Sequence, residues 1–134
     1  MTSYQLHLVK QTWKLLREID PAVLGDVFYG RLFFRYPTLR PMFSASLESQ
    51  YERFVSMLSM IVARIDRPDT ITPEISQLAR RHEGYGVKPE HYQAVREALL
   101  WMLEKGLGND WNDEVQQAWG TCYDSITQAM LETV

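Results

Sequence analysis

The chain has 134 residues, of which 46% are hydrophobic and 23% charged, and its formal net charge at pH 7 is -3. This composition is typical of a globular protein, and we expect residues 1–134 to form a single domain. The acidic balance argues against a nucleic-acid surface, which needs clustered Lys and Arg, and no apolar run approaches the ~20 residues of a membrane span. The N-terminus lacks the basic and apolar segments of an export signal, so we expect a cytoplasmic protein.

The hydrophobic pattern predicts an all-α chain, because no alternation of apolar and polar residues is long enough for a strand. The first helix should begin near Thr2, which has the spacing of a capping box with Gln5. Cys122 is the only cysteine, which excludes an intrachain disulfide and a thiolate metal cluster. We therefore expect Cys122 to be a small core residue.

The second helix is predicted to run from Pro21 to about Arg35, with Asp20 as its N-cap. Tyr29 and Phe33 follow one another at a spacing of four, beside a row of apolar core residues. This spacing places the phenol of Tyr29 in or beside the core, where its hydroxyl needs a partner. After this helix, two prolines allow only a short turn that ends at Phe43, which is either a core residue or the wall of a site.

A third helix is predicted from Ser46 to about Asp66. Gln50 lies on its apolar stripe, three residues after Leu47 and four before Phe54. An inward-facing amide without a partner would cost roughly 1–3 kcal/mol, so water or a ligand should meet it. Alternatively, Gln50 lies at a helix end that remains wet.

The next helix opens at Thr72 and Pro73 and carries His82 on its core face, in line with three apolar residues at spacings of three and four: Ile71, Ile75 and Leu78. Gly84 follows closely and predicts the end of the helix. A lone histidine on an apolar face is more often a core residue than a metal ligand, so the pattern by itself leaves both readings open.

Two further helices complete the prediction, one from Pro89 to Gly106 and one from about Asn112 onward. His91 falls in the exposed first turn of the former, and His7 lies beside the apolar stripe of the first helix. Both are weaker candidates for a metal ligand than His82.

Three segments, VFYGRLFFRYP (27–37), RRHEGYGVKPEHY (80–92) and QQAWGTCY (116–123), together with Phe43, resemble the haem domain of bacterial flavohaemoglobins and single-domain bacterial globins. The resemblance covers nearly the whole chain. It implies the globin fold, a three-over-three helical sandwich that encloses haem b (iron protoporphyrin IX).

The resemblance also implies the roles of individual residues. His82 would be the proximal ligand of the haem iron. Tyr29 and Gln50 would form the distal pair above the iron, with Phe54 beside the bound gas. The other implied cofactor contacts are Phe43 against the porphyrin, Arg81 at a propionate, Tyr92 near the proximal imidazole, and Val87 and Val95 along the porphyrin edge.

The chain departs from the flavohaemoglobin pattern at four points. The reductase half is absent, and the chain ends at Val134, before the glutamate that completes the proximal network of those proteins. The segment before Gln50 is a few residues shorter than theirs. Phe54 replaces an aliphatic residue and should narrow the pocket.

These features predict a haem protein that binds O2, NO and CO at pentacoordinate iron with high affinity for O2. Tight binding suits O2-dependent dioxygenation of NO to nitrate with a separate reductase, and no residue is assigned as catalytic with certainty. The alternatives are O2 storage or delivery, and a sensory globin, with or without haem; a peroxidase is less favoured. We expect a monomer or weak homodimer that binds neither nucleic acid nor membrane.

Overall fold

The computed structural model describes residues 1–43, 46–84 and 87–133, apart from the side chains of residues 68, 82–84 and 133. In these ranges the chain forms six α-helices: α1 (Ser3–Leu16), α2 (Pro21–Arg35), α3 (Leu47–Arg64), α4 (Thr72–Gly84), α5 (Pro89–Leu107) and α6 (Asp113–Thr133). Short 3-10 helices over Pro37–Met42, Pro68–Thr70 and Gly108–Asp110 connect α2 to α3, α3 to α4 and α5 to α6. The described ranges contain no strand, so the all-α prediction is confirmed. None of their helices combines the length and apolarity that a membrane crossing requires.

The first two helices begin at side-chain caps. The hydroxyl of Thr2 accepts the backbone N–H of Gln5 at 3.0 Å, and the Gln5 side chain accepts the backbone N–H of Thr2 at 3.0 Å. The carboxylate of Asp20 accepts the backbone N–H of Ala22 at 2.9 Å, and Pro21 is the first helical residue of α2. These caps satisfy backbone donors that have no partner within the helix, so local sequence determines where α1 and α2 begin.

The chain turns sharply between α5 and α6. Gly108 has φ +55° and ψ -117°, a conformation that residues with a side chain rarely adopt. The predicted end of α5 at Gly106 is one residue early, because the helix continues to Leu107 and reverses only at Gly108. The side chain of Asn112 then accepts the backbone N–H of Val115 at 3.0 Å and caps α6.

Packing between helices places α3 and α4 against different partners. In the described ranges α2 packs extensively against α5, and both α1 and α4 pack against α6. Helix α3 packs against α2 and α1. Helices α3 and α4 therefore pack mainly against different helices, although Met60 of α3 also contacts the cluster that contains the apolar residues of α4.

The buried apolar residues form two separate clusters. The larger cluster joins α1, α2, α3, α5 and α6 and includes the fully buried side chains of Leu16, Leu32, Leu99 and Trp119. The smaller cluster joins α4 to α5 and α6 and consists of Ile71, Ile75, Ala79, Tyr92 and Met130. Ile126 is partly buried and packs against both clusters.

Cys122 lies inside the larger cluster and is 2% exposed. Burial raises the pKa of its thiol to about 12, so the group is protonated at neutral pH. A protonated, enclosed thiol is a poor nucleophile, which agrees with the prediction that Cys122 is a core residue.

Candidate functional site

Tyr29 lies on the core-facing side of α2 and is 3% exposed. Its ring contacts four other aromatic rings, with centroid distances of 4.5 Å to Tyr51, 4.9 Å to Phe28, 5.4 Å to Phe43 and 5.7 Å to Phe33. These rings come from α2, from the residue that follows the first 3-10 helix, and from α3. Aromatic side chains from three parts of the chain therefore enclose the phenol.

The hydroxyl of Tyr29 makes no hydrogen bond with any residue in the described ranges. Burial, and to a smaller extent the neighbouring Tyr51, raise the pKa of Tyr29 to about 12. The phenol therefore keeps its proton at neutral pH and remains a hydrogen-bond donor. Since polar groups in a protein interior usually have hydrogen-bond partners, the Tyr29 hydroxyl is available to donate a hydrogen bond to a bound ligand.

Phe43 forms one wall beside Tyr29. It follows the 3-10 helix Pro37–Met42, and its backbone N–H donates to the carbonyl of Arg40 at 3.2 Å. The guanidinium of Arg40 donates back to the carbonyl of Phe43, also at 3.2 Å. The ring of Phe43 is half-buried and packs edge-on against Tyr29 and against Phe33. These contacts hold Phe43 in place at the side of the phenol.

Helix α3 carries Tyr51 and Phe54, whose rings contact rings of α2, and Gln50. Tyr51 is 9% exposed and its ring contacts Tyr29. Phe54 is half-buried and its ring stacks on Phe28, with centroids 4.4 Å apart and planes 17° apart. Gln50 is half-buried and lies in the first turn of α3. Its role as a distal donor stays a prediction, as does the role of Phe54 beside the gas.

Tyr51 is the residue of this wall that the sequence analysis did not single out. Burial contributes most to its raised pKa, followed by the carboxylate of Asp26, while Arg40 opposes the shift. The helical spacing of Tyr51 to Val55 and Leu58 could have identified it, because all three pack in the larger cluster. The choice between Gln50 and Tyr51 as the inward-facing residue depends on how α3 is rotated, which spacing alone leaves open.

The predicted contacts on the other side of the site lie on or near α4 and α5. Tyr92 is 7% exposed, burial raises the pKa of its phenol, and its backbone carbonyl accepts a hydrogen bond from the hydroxyl of Tyr123 at 2.6 Å. Val87 is half-buried and packs against the smaller cluster, whereas Val95 is half-buried and packs against the larger one. Arg81 is exposed.

The side chain of His82 lies outside the described residues, although its backbone belongs to α4. Helix α4 places its apolar residues Ile75 and Ala79 in the smaller cluster, at spacings of seven and three residues before position 82. The role of His82 as an iron ligand therefore stays a prediction.

A flat apolar group such as haem fits this arrangement of residues. The core is divided into two clusters, one on the side of α2 and α3 and the other on the side of α4. Four of the residues for which haem contacts are predicted are apolar and only half-buried by the protein itself: Phe43, Phe54, Val87 and Val95. Their partial burial leaves apolar surface for a cofactor to cover.

Comparison with known proteins identifies relatives over the whole chain. The family model described as Globin matches residues 26–130. A protein of Aquifex aeolicus, described as an uncharacterized globin-like protein, is 31% identical over 94% of this chain and 88% of its own length. The residues matched by the family model include Tyr29, Phe43, Gln50 and the other residues of the candidate site.

Two further relatives have descriptions that concern function. A flavohemoprotein of Vibrio cholerae is 27% identical over 98% of this chain, but the match covers only 34% of that protein. The chain thus spans about a third of the length of the flavohemoproteins that it matches. An engineered carbene transferase from Rhodothermus marinus, a proposed nitric oxide dioxygenase, is 26% identical with a TM-score of 0.86, and the match covers 96% of this chain and 89% of that one.

Proposed function

Because this chain belongs to the globin family, in which a haem binds diatomic gases, we propose that it holds haem b between α3 and α4 and uses Tyr29 to bind O2 tightly. We also propose that the protein converts NO and O2 to nitrate with an electron from a separate reductase. No group of the chain itself is assigned a proton-transfer step.

The observation that carries this proposal is the phenol of Tyr29. Its ring is enclosed, it keeps its proton at neutral pH, and its hydroxyl has no acceptor among the described residues. The haem supplies an iron that binds O2 and shifts electron density onto it. The O–H of a phenol that donates a hydrogen bond to that charge is worth roughly 1.5–3 kcal/mol, or about 10- to 150-fold in affinity.

Other residues would complete the pocket. His82 would bind the iron through its imidazole, and Arg81 next to it would meet a propionate. Gln50 offers a second donor one turn into α3, and Phe54 limits the space available beside the gas. Phe43 would pack against the porphyrin.

Tight binding of O2 favours NO chemistry over oxygen delivery, since a carrier must release its gas at ordinary pressure. The net reaction combines O2, NO and one electron to give nitrate, so it needs a reductant. The similarity to flavohemoproteins and to a proposed nitric oxide dioxygenase supports this reading. A separate flavin-dependent reductase of the cytoplasm is the partner that we propose.

Stopped-flow mixing of the oxygenated protein with NO tests this function. We expect rapid formation of nitrate, followed by repeated turnover when NADH and a flavin-dependent reductase are present. The matched control is the Tyr29→Phe variant, which should lose O2 faster and turn over less at low O2. Oxidation that stops after one equivalent with every reductase tried would contradict the catalytic proposal and favour a storage or sensing role.

A further inference from the structure

We propose that Tyr51, whose ring packs against the backbone of Gly25, orients the phenol of Tyr29 and is therefore a positioning residue for gas binding. This inference rests on the proposed function, because it concerns the strength of the hydrogen bond that Tyr29 donates to the gas. It gives two further residues, Gly25 and Tyr51, a role in gas binding.

Among the rings around Tyr29, the ring of Tyr51 has the nearest centroid. The two centroids are 4.5 Å apart and the planes are tilted by 35°, so the rings overlap rather than touch at an edge. Phe28 and Phe33 lie on the same helix as Tyr29, and Phe43 meets it edge-on. Tyr51 is thus the aromatic ring through which α3 contacts the phenol.

The absence of a side chain at Gly25 leaves the space that the base of the Tyr51 ring occupies. A Cβ atom at position 25 would stand 2.2 Å from Cγ of Tyr51 and 2.5 Å from both Cδ atoms. These atoms are at the base of the ring, so the ring could not move aside by a small rotation of its tip. Gly25 lies one helical turn before Tyr29, on the same side of α2, so the Tyr51 ring spans both positions.

The hydroxyl of Tyr29 makes no hydrogen bond to a described residue. The packing of its ring therefore decides where the phenol oxygen lies. Removing the Tyr51 ring, through which α3 contacts the Tyr29 ring, should let the phenol turn away from the gas. Tyr51 itself would not touch the gas.

The test compares Tyr51→Leu with Tyr51→Phe, both in the haem-loaded protein. The leucine variant loses the ring, and we expect its O2 dissociation rate to rise ~10-fold, the lower end of the effect of losing one hydrogen bond to a charged group. The phenylalanine variant keeps the ring and should keep the original rate. In the CO complex, the Fe–CO stretching frequency measured by resonance Raman spectroscopy should shift in the leucine variant alone.

A second variant reaches the same contact from the other side. Gly25→Ala places a methyl group against the Tyr51 ring and should produce the spectroscopic shift of Tyr51→Leu. The double variant Gly25→Ala, Tyr51→Leu should shift the Fe–CO stretching frequency no further than either single variant does, because both substitutions disturb the same contact. Gly30→Ala is the matched control on α2, since its Cβ meets open space, and it should leave the spectrum unchanged.

Independent of gas binding, nuclear Overhauser contacts between the rings at positions 29 and 51 should be strong in the purified protein and lost in Gly25→Ala. If Tyr29→Phe raises the O2 dissociation rate but Tyr51→Leu leaves both the rate and the Fe–CO frequency unchanged, the positioning role is wrong. If Tyr29→Phe itself has no effect, the proposed distal function fails instead. A Tyr51→Phe variant that behaves like Tyr51→Leu would also overturn the inference, because the hydroxyl rather than the ring would then matter.

Discussion

The indole N–H of Trp119 donates a hydrogen bond to the hydroxyl of Thr12 at 2.9 Å, and both residues are buried. The Thr12 hydroxyl in turn donates to the carbonyl of Leu8 at 2.7 Å, one turn earlier in α1. This chain of two hydrogen bonds links α6 to α1 inside the larger core cluster. It satisfies the polar atom of the largest fully buried side chain in the described ranges.

Replacing Thr12 with valine should destabilise the protein. The two side chains have similar shape, but valine leaves the indole N–H of Trp119 without an acceptor, which costs roughly 1–3 kcal/mol. Urea unfolding followed by tryptophan fluorescence measures the loss. The Thr12→Ser variant keeps the hydroxyl and serves as the control. A Thr12→Val protein more stable than Thr12→Ser would contradict the importance of this hydrogen bond.

Two glycine positions should respond in opposite directions to alanine. At Gly108 the conformation of φ +55° and ψ -117° is unfavourable for any side chain, so Gly108→Ala should lower the free energy of unfolding by roughly 1–3 kcal/mol. At Gly30, inside α2, an alanine methyl meets open space and should raise it by ~0.5–1 kcal/mol. Chemical denaturation of both variants checks the signs, and a stabilising Gly108→Ala would refute the assigned turn.

Tyr29 should make the fold sensitive to strongly alkaline pH. Its pKa is raised from 10.0 to about 12 in the folded protein, so the folded state holds this proton more tightly than the unfolded state. The resulting stabilisation is complete below the unfolded pKa and is lost as the pH rises towards about 12. Urea midpoints measured across this window should fall less steeply for Tyr29→Phe. Equal slopes for the two proteins would mean that the phenol is not enclosed.

Replacement of Tyr29 or Gln50, the two proposed distal donors, should speed the release of O2. One hydrogen bond to iron-bound O2, on which negative charge develops, would be worth roughly 1.5–3 kcal/mol, so Tyr29→Phe should raise the dissociation rate ~10- to 150-fold. Gln50→Leu should raise the rate as well if its amide faces the gas. Flash photolysis or stopped-flow displacement by CO gives both rates. An unchanged rate in Gln50→Leu would remove Gln50 from the distal pair while leaving Tyr29 in place.

Replacement of His82, the proposed proximal ligand, should abolish the haem spectrum. His82→Ala should weaken or eliminate the Soret band and its shift with CO, because no other residue is proposed to bind the iron. His91→Ala is the control, since the imidazole of His91 instead accepts the backbone N–H of Lys88 at 2.9 Å at the start of α5. Optical spectra of the two purified variants, His82→Ala and His91→Ala, show which of them loses the Soret band. A normal Soret band in His82→Ala would disprove the assignment.

Local sequence was sufficient to predict the helices and most of their ends. Caps at Thr2 and Asp20 and the proline at position 89 act within a few residues of themselves, so their effect can be read without the fold. The predicted third helix, from Ser46 to about Asp66, differs from Leu47–Arg64 by one residue at its start and two at its end. Errors of this size occur because a helix end is weakly determined once its cap lacks a side-chain hydrogen bond, as at Ser46.

The sequence by itself determined the all-α class, the inward position of Tyr29 and the likeness of the chain to globins, because each depends on spacing along one helix or on residue identity. Only the tertiary structure decided that Tyr51 lies against Tyr29 and Gly25, since this contact depends on how α3 crosses α2. Gln50 and Tyr51 are neighbours about 100° apart around α3, so the rotation of the helix about its axis decides which of them faces inward. Periodicity specifies one face of a helix, whereas the contact between two helices is decided by the shapes that meet there.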